Sequence, residues 1–205
     1  MKLMSNSPDI YYTIEESKRT EIKIKGSRFI ASAGHVTNRD EAIAYLDTLR
    51  AEFYDATHNC FAYRIGASGM EFRASDDGEP SGSAGKPILF MLNKHELGDI
   101  IVVVTRYFGG TKLGVGGLAR AYSDAADEAL KLCTRKAVYR LHEITVFCTY
   151  EDLTLVKKLL DKFAIMQKET YHDSIEIIAG IPLSQVDEFK NLVTDQTRGR
   201  AGFRD

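Results

Sequence analysis

The sequence predicts an α+β protein of two domains, one formed by residues 1–137 and a smaller one by residues 138–205. Segments with the two-residue repeat of strands alternate with segments that have the 3.6-residue repeat of helices. The apolar, β-branched run at residues 100–104 is typical of a strand covered on both faces. After a polar stretch at residues 134–140, which we interpret as a domain connection, the elements follow the order βαββα, as in a small ferredoxin-like unit.

Composition limits the possible functions. The chain has 205 residues, 44% of them apolar, so it can bury a hydrophobic core. Its formal net charge is −2, whereas proteins that coat nucleic acid nonspecifically are usually basic. Any nucleic-acid contact therefore needs a local basic patch. The three cysteines form no CxxC pair, which argues against a zinc knuckle, a dithiol redox site or a disulfide framework.

No segment predicts a membrane contact or export. The first residues lack the apolar region of a secretory signal, and no apolar run approaches the length of a membrane span. We expect a cytoplasmic protein with no membrane partner, no cofactor and no metal.

The first domain begins with two strands and a helix. Residues 20–25 alternate polar and apolar, Gly26 marks a turn, and residues 28–31 start a second strand. Asn38 or Thr37 can cap a helix that runs to about Phe53.

Residues 58–66 alternate again and predict a strand with two different faces. We place one face in the core and expect the other to be accessible to a ligand. The predicted core face carries Phe61, Tyr63 and Ile65, and the accessible face carries His58, Cys60, Ala62 and Arg64.

Residues 72–85 are rich in turn-forming residues and predict a long polar loop. A helix then begins between residues 83 and 86, because Pro87 is tolerated only in the first turn. The buried strand extends from Ile100 to about Tyr107, and a helix follows over about residues 116–133.

The second domain is predicted from shorter signals. A strand within residues 141–150 precedes a helix at 153–163, and strands at 165–171 and 174–181 flank a turn at His172 and Asp173. Ser184 is the expected cap of a helix that ends near residue 194. A fourth strand has to come from residues 200–204, which are weak strand formers.

The strongest functional signal is the segment at residues 105–121, TRYFGGTKLGVGGLARA. Glycines between a strand and a helix let a ligand approach the backbone, and a helix N-terminus attracts anions. The nearby cations are Arg106, Lys112 and Arg120. We predict an anion site here, with backbone from Gly109, Gly110, Gly114, Gly116 and Gly117.

Two other interpretations of this loop stay open. Gly114, Gly116 and Ala119 fit a loose dinucleotide fingerprint, but the acidic residue that should follow on a later strand is missing, and no Walker motif is present. Alternatively, the glycines serve only a tight turn and close helix packing. Arg120 also lies four residues before Asp124, with which it can form an ordinary surface pair.

Weaker candidates lie in the preceding polar loop and strand. Asp76, Asp77 and Glu79 are more simply explained as turn residues than as metal ligands. Ser81 and Ser83, with Lys86 nearby, are candidates for binding phosphate. The alternative is that these serines only cap the following helix, as serine routinely does. A Cys–His nucleophile pair is conceivable for His58 and Cys60, but a buried thiol and a polar contact of His58 beside Arg64 are the simpler interpretation.

Three blocks of the sequence together resemble the IMPACT family, in particular its bacterial YigZ-like branch. They are HNCFAYRIG at 58–66, DDGEPSGSAGKPIL at 76–89 and VTRYFGGTKLGVGGLARAY at 104–122. The resemblance covers about residues 11–135, and the segment after it is similar to the small C-terminal domain of bacterial members.

The resemblance implies a fold and a general role. It implies a first domain with the βαβ sandwich shared by a ribosomal small-subunit protein and domain IV of elongation factor G, and a second domain like domain V of that factor. It also implies regulation of translation. Eukaryotic members act in the stress response through protein contacts, by competing for an activator of a kinase that senses amino-acid starvation.

Three functions follow, in order of preference. The first is a cytoplasmic regulator of translation or stress response that binds RNA, the ribosome or another polyanion. The second is a regulator that acts by protein contact without nucleic acid. The third is a small-molecule enzyme or nucleotide binder that uses the glycine loop, although no catalytic residue is predicted and fold analogy is weak support for an activity.

Overall fold

The structure is a computed structural model that describes residues 9–67, 69, 71–171 and 175–204. It divides into two compact units, a larger one of Tyr11–Val138 and a smaller one that combines the segment ending at Ile10 with the chain from Tyr139 onward. Both units contain helices packed on antiparallel sheets. The prediction of a two-domain protein that mixes α and β structure is therefore confirmed.

The first ten elements are strands β1 to β7 and helices α1 to α3. In chain order they are β1 (Ile10–Ile14), β2 (Lys18–Ile24), β3 (Ser27–His35), α1 (Arg39–Glu52), β4 (His58–Ile65), β5 (Glu71–Ser75), α2 (Gly85–Lys94), β6 (Ile100–Tyr107), α3 (Gly114–Lys131) and β7 (Arg135–Tyr139).

The larger unit is built on a five-stranded antiparallel sheet in the order β2-β3-β6-β4-β5. Strand β6 lies in the middle, and every residue from Ile100 to Val104 is fully buried. Helices α2 and α3 pack on one face of the sheet, and α1 packs on the other. The continuous apolar run of β6 is explained because the strand has no solvent-facing side.

Helix α1 has the boundaries that the sequence predicts. The Asn38 side chain accepts a hydrogen bond from the Glu41 N–H at 2.9 Å, and the Glu41 carboxylate accepts one from the Thr37 N–H at 2.7 Å. The helix ends at its C-cap, Phe53. The first bond satisfies one of the N–H groups that a helix start leaves free, and the second fixes the chain just before the cap.

Two strands lie where the sequence predicts none. Residues 71–75, which overlap the start of the polar loop predicted at 72–85, form β5, an edge strand paired with β4. Residues 135–139, taken as a polar connection, form β7, which pairs with β1 in a separate two-stranded sheet. Both segments are largely exposed. Because an edge strand buries little of its surface, its sequence carries a weak hydrophobic repeat.

The smaller unit contains the remaining elements. They are β8 (Leu141–Cys148), α4 (Leu153–Phe163), β9 (Met166–Tyr171), β10 (Ile175–Pro182), a short 3-10 helix (Leu183–Gln185), α5 (Val186–Thr197) and β11 (Gly202–Arg204). The sheet order is β11-β8-β10-β9 with antiparallel pairs, which together with α4 and α5 makes a βαββαβ unit of the ferredoxin-like kind.

Two details of the smaller unit differ from or complete the prediction. The weak fourth strand does form, as the three-residue β11 paired along β8. Ser184 does not cap α5, because its N–H and hydroxyl bond the Asp9 carboxylate instead and the helix begins at Val186. The predicted turn at His172 and Asp173 lies outside the described residues.

Candidate functional site

The site lies at the end of the central sheet where β6 leads into the glycine loop. His58 at the start of β4 is directly opposite Arg106 near the end of β6, and Phe29 of β3 is opposite Arg106 on the other side. Pairing within the sheet therefore brings three segments that are far apart in sequence to the beginning of the loop.

Arg106 is buried, with 5% of its surface exposed. Its Nη1 donates to Glu79 Oε1 at 2.5 Å, and its Nη2 lies 3.4 Å from Ser27 Oγ. The guanidinium also lies over the rings of Phe29 and Phe108, at 5.4 and 5.5 Å from their centroids. Glu79 therefore balances the charge of Arg106, and a role of Arg106 in anion binding stays a prediction. Its Nε has no hydrogen-bond partner.

Glu79 is the centre of a buried polar cluster. Besides the bond from Arg106, its Oε1 accepts a hydrogen bond from Tyr122 Oη at 2.7 Å, and His58 Nε2 lies 3.9 Å away. Its side chain is 3% exposed. A carboxylate this deeply buried requires partners of this kind, because an unpaired buried charge is costly.

Cys60 belongs to the core rather than to a reactive site. Its Sγ lies 2.9 Å from the Asp76 carbonyl oxygen and 3.3 Å from Tyr122 Oη. Burial raises the pKa of the Cys60 thiol to about 12, so almost no thiolate, the nucleophilic form, exists at neutral pH. The strand face that includes Cys60 and Ala62 lies beneath α2 and α3, which corrects the expectation that a ligand could reach it.

The acidic loop serves the protein itself. Asp76 accepts hydrogen bonds from the N–H groups of Gly82, Ala84 and Gly85, at 2.7 to 2.9 Å. It therefore occupies the start of α2, where the sequence places a phosphate between Ser81, Ser83 and Lys86. A phosphate would have to displace this carboxylate. Lys86 is exposed, Ser81 is exposed, and Ser83 is fully buried with its hydroxyl unpartnered.

The neighbouring carboxylate of Asp77 is also engaged. Its Oδ2 accepts a hydrogen bond from the Asn59 N–H at 2.7 Å, and its Oδ1 lies 3.2 Å from Arg50 Nη2. His58 Nδ1 lies 2.8 Å from the Asp77 carbonyl oxygen. Within the described ranges, no group of three or more His, Cys, Asp and Glu residues is arranged to hold a metal ion.

Arg64 does not join this site. It lies at the opposite end of β4, paired with Ile100, and its Nη1 donates to the Leu97 carbonyl at 2.9 Å. The alternation of side chains along β4 puts Arg64 and His58 on the same face. They are six residues apart, however, and lie at opposite ends of the strand. Their predicted cooperation in one anion site is not supported by this geometry.

The glycines of the loop have different roles. Gly109 packs against the turn at Gly26, where an added Cβ would lie 1.9 Å from the Gly26 carbonyl carbon, and its N–H donates to Ser27 Oγ. Gly110 and Gly114 have φ values of +84° and +72° and face open space. Gly116 also faces open space, and an added Cβ on Gly117 would lie 3.2 Å from Leu113 Cβ. Only Gly109 is required by close packing.

The N-terminus of α3 lacks the caps found on the other two helices of the unit. Its N-cap residue, Leu113, makes no capping bond, no other side chain in the described part of the chain accepts from its first N–H groups, and its first turn contains no acidic residue. Lys112 precedes the helix and Arg120 lies in its second turn; both are exposed, and neither forms an ion pair within the described part of the chain. The pairing considered between Arg120 and Asp124 is not formed. Helix dipole and cations together create a positive surface.

A cleft of about 340 Å³ opens beside this helix start. Its lining combines charged groups with an apolar wall, and consists of Glu79, Pro80, Arg106, Phe108, Lys112, Leu113, Gly114, Val115 and Leu118. Phe108 is 49% exposed and Val115 is 58% exposed. Sequence reasoning did not identify Phe108, Val115, Tyr122 or Ser27 as parts of the site. Their separation in sequence gives no local signal, although Tyr122 falls on the predicted apolar stripe of α3.

Fold and site define a two-domain α/β protein whose larger domain carries a positively charged glycine loop beside a buried Arg–Glu pair. The chain belongs to the IMPACT family. Residues 25–130 match the Impact N-terminal domain, and residues 146–200 match a domain of unknown function, DUF1949.

Similar proteins extend over nearly the whole chain. IMPACT family member YvyE of Bacillus subtilis is 36% identical over 199 residues, which is 95% of this chain and 90% of that protein. IMPACT family member YigZ of Escherichia coli is 37% identical over 180 residues, with 86% and 88% covered. A crystal structure described as that of a hypothetical protein has a TM-score of 0.67 at 34% identity and covers 95% of this chain and 96% of the other.

These matches confirm the family that the three sequence blocks indicate. No helix in the described residues is long and apolar enough to cross a membrane.

Proposed function

We propose that this protein regulates translation by binding RNA through its glycine-loop surface, which consists of residues 108–117 and Arg120. The single observation that supports this most is the uncapped start of α3 with Lys112 and Arg120 unpaired beside it. In the same unit, Asn38 caps α1 and Asp76 occupies the start of α2. Within the described residues, α3 is the one of these three helices whose first N–H groups have no side-chain acceptor.

The chemistry of this surface suits a nucleic-acid backbone. Free N–H groups at a helix start bind phosphate oxygens, and the helix dipole adds a partial positive charge. Lys112 and Arg120 supply two further charges at positions that the protein does not neutralise. Because the whole chain has a formal charge of −2, binding depends on this local patch rather than on net charge.

Phe108 provides a second type of contact. Its ring is half exposed and lies against the Arg106 guanidinium, which orients it. An exposed aromatic ring beside cations is a platform on which a base of single-stranded RNA stacks, with about 1–3 kcal/mol per base. The proposal therefore favours single-stranded RNA over a duplex, whose bases are not available for stacking.

The role in translation rests on the family. Membership in the IMPACT family supports regulation of translation as the general theme, and we include in the proposal the likeness of the larger domain to domain IV of elongation factor G and of the smaller domain to domain V. Cytoplasmic action and a part in the stress response belong to the same proposal.

The direct test measures binding of a fluorescein-labelled 12-nucleotide oligouridine by anisotropy, and of purified 30S and 70S ribosomes by co-sedimentation. The double variant Lys112→Ala/Arg120→Ala should bind at least about tenfold more weakly, since each phosphate contact contributes to the electrostatic part of binding. The matched control is Arg39→Ala/Lys136→Ala, which removes the same charge from exposed positions elsewhere in the larger unit. Equal affinity of the double variant and the wild type would refute the proposal.

A protein partner is the second candidate, because Phe108 and Val115 expose apolar surface side by side along the cleft. Affinity capture from cytosol with and without nuclease separates the two. Partners that are lost on nuclease treatment support RNA binding. Partners that survive nuclease treatment but are no longer captured by the Phe108→Ala variant support protein contact.

A further inference from the structure

We infer that the cleft beside α3 is a binding site for a small organic anion, a molecule with a negatively charged head and an apolar body. This inference goes beyond RNA binding because it assigns a second, small ligand to the cleft, whose lining shares Phe108, Lys112 and Val115 with the proposed RNA surface. Its basis is the combination of a buried, partly unpaired guanidinium, a free helix start and an apolar wall in one concave space.

The first step of the argument is the orphaned nitrogen of Arg106. The side chain is 6% exposed and lines the cleft, and its Nε carries a hydrogen that no described group accepts. A buried donor without an acceptor destabilises a protein. Because Arg106 lines the cleft, an anion bound there lies against a guanidinium that has one donor left over.

The second step is the charge balance of the cleft. Glu79 is the only acidic residue in its lining, and its Oε1 already accepts hydrogen bonds from Arg106 and Tyr122. Lys112 adds an unpaired positive charge, and the start of α3 adds the partial charge of its dipole. The lining therefore carries a net positive charge and selects a negatively charged head.

The third step is the shape and polarity of the remaining wall. Pro80, Leu113 and Leu118 present apolar surface to the cleft, and the exposed Phe108 and Val115 line it as well. A volume of about 340 Å³ lies at the small end of the range for small-molecule sites, which is about 300–1,000 Å³. An inorganic anion would leave this wall uncovered, whereas a short aliphatic or aromatic body covers it.

The experiment compares three probes on the full chain by ¹⁵N–¹H NMR titration. Sodium hexanoate carries both parts of the expected ligand, 1-hexanol lacks the charge, and inorganic phosphate lacks the apolar body. We expect hexanoate to shift the amides of residues 108–118 with an affinity at least tenfold higher than that of the other two. Equal binding of hexanol or of phosphate overturns the inference, as does the absence of shifts with hexanoate.

Matched variants test the location. Val115→Asp places a negative charge in the cleft and at a helix start, where it suits the helix dipole, and circular dichroism of the variant separates a loss of binding from unfolding. We expect it to weaken hexanoate binding at least about fivefold, and Val115→Lys to strengthen it. Arg106→Lys keeps a cation next to Glu79 but removes the Nε donor, and should also weaken binding. Unchanged affinity in Val115→Asp overturns the inference.

Arg120→Ala separates this site from the proposed RNA surface. Arg120 does not line the cleft, so this variant should bind hexanoate as the wild type does. If hexanoate binds as expected and RNA does not bind, the cleft inference stands and the RNA proposal fails. If RNA binds and hexanoate does not, the cleft inference alone is refuted.

Discussion

Arg106 and Glu79 form an ion pair at 2.5 Å in which both side chains are at least 94% buried. The pair joins the end of β6 to the acidic loop before α2, and Tyr122 of α3 donates to the same carboxylate oxygen. One carboxylate thus ties together the three segments that form the cleft. Its position makes the pair both a structural element and a part of the candidate site.

Breaking this pair on one side should be strongly destabilising. We expect Glu79→Leu to lower the free energy of unfolding by about 3–5 kcal/mol, because it leaves the Arg106 charge buried without a partner. Urea denaturation followed by circular dichroism measures the loss. The control is Glu52→Ala, which removes an exposed partner of Arg19 and should cost about 0–1 kcal/mol. Similar losses in the two variants would contradict the buried role of the pair.

Asp76 should act as the cap of α2. Asp76→Ala leaves three N–H groups without an acceptor, and we expect a loss of about 1–3 kcal/mol. Burial acts to raise the pKa of Asp76, but the hydrogen bonds from these N–H groups lower it below 3.8 overall. The stabilisation is therefore present above about pH 4 and is lost as the pH falls through the lowered pKa.

The measurement for Asp76 is the urea midpoint of wild type and Asp76→Ala between pH 7 and pH 2.5. The two should converge as the pH falls. A constant difference over this range would show that the carboxylate charge does not contribute.

Cys60 and Tyr122 should make the protein sensitive to alkali. Burial raises the pKa of both groups in the folded state, that of Cys60 to about 12 from 9.0. Their neutral forms stabilise the fold fully below pH 9, and this stability is lost as the pH rises from 9 toward 12. Unfolding midpoints at pH 8 and pH 10.5 measure the loss, which should be smaller in Cys60→Ala. At pH 8, iodoacetamide should leave Cys60 unmodified in the folded protein and modify it in urea.

Two glycines of the loop should respond oppositely to alanine. Gly109→Ala forces a Cβ against the backbone of Gly26, and we expect a loss of at least about 1–3 kcal/mol. Gly116 lies in the first turn of α3 and faces open space, so Gly116→Ala should gain about 0.5–1 kcal/mol. Thermal unfolding of both variants checks the prediction. If Gly116→Ala loses as much stability as Gly109→Ala, the space around each glycine does not determine the effect of the substitution.

The salt dependence of RNA binding should report the number of phosphate contacts. Lys112→Ala and Arg120→Ala should each reduce the slope of log affinity against log salt concentration by about 1, and the double variant by about 2. Anisotropy titrations with oligouridine at 50–200 mM KCl provide the slopes. The Arg39→Ala/Lys136→Ala control should keep the slope of the wild type. A slope unchanged in the double variant would place the contacts elsewhere.

Local sequence patterns are sufficient to predict the two domains, the buried strand β6 and the boundaries of α1, because these depend on hydrophobic repeats and on a cap within three residues. The sequence also determined the family, through three separated blocks. It also indicates Lys112 and Arg120 as cations near the start of α3, and both are exposed in the structure.

Which of the remaining charged residues can bind a ligand depends on contacts between segments that are far apart in sequence. Arg106 and Glu79 are 27 residues apart, and nothing local shows that they neutralise each other. In the same way, Asp76 accepts hydrogen bonds from N–H groups six to nine residues away. It thereby occupies the start of α2, where the sequence predicts a phosphate beside Ser81 and Ser83. Long-range pairing in the sheet brings these groups together, and a residue's chemistry depends on the partner that it meets there.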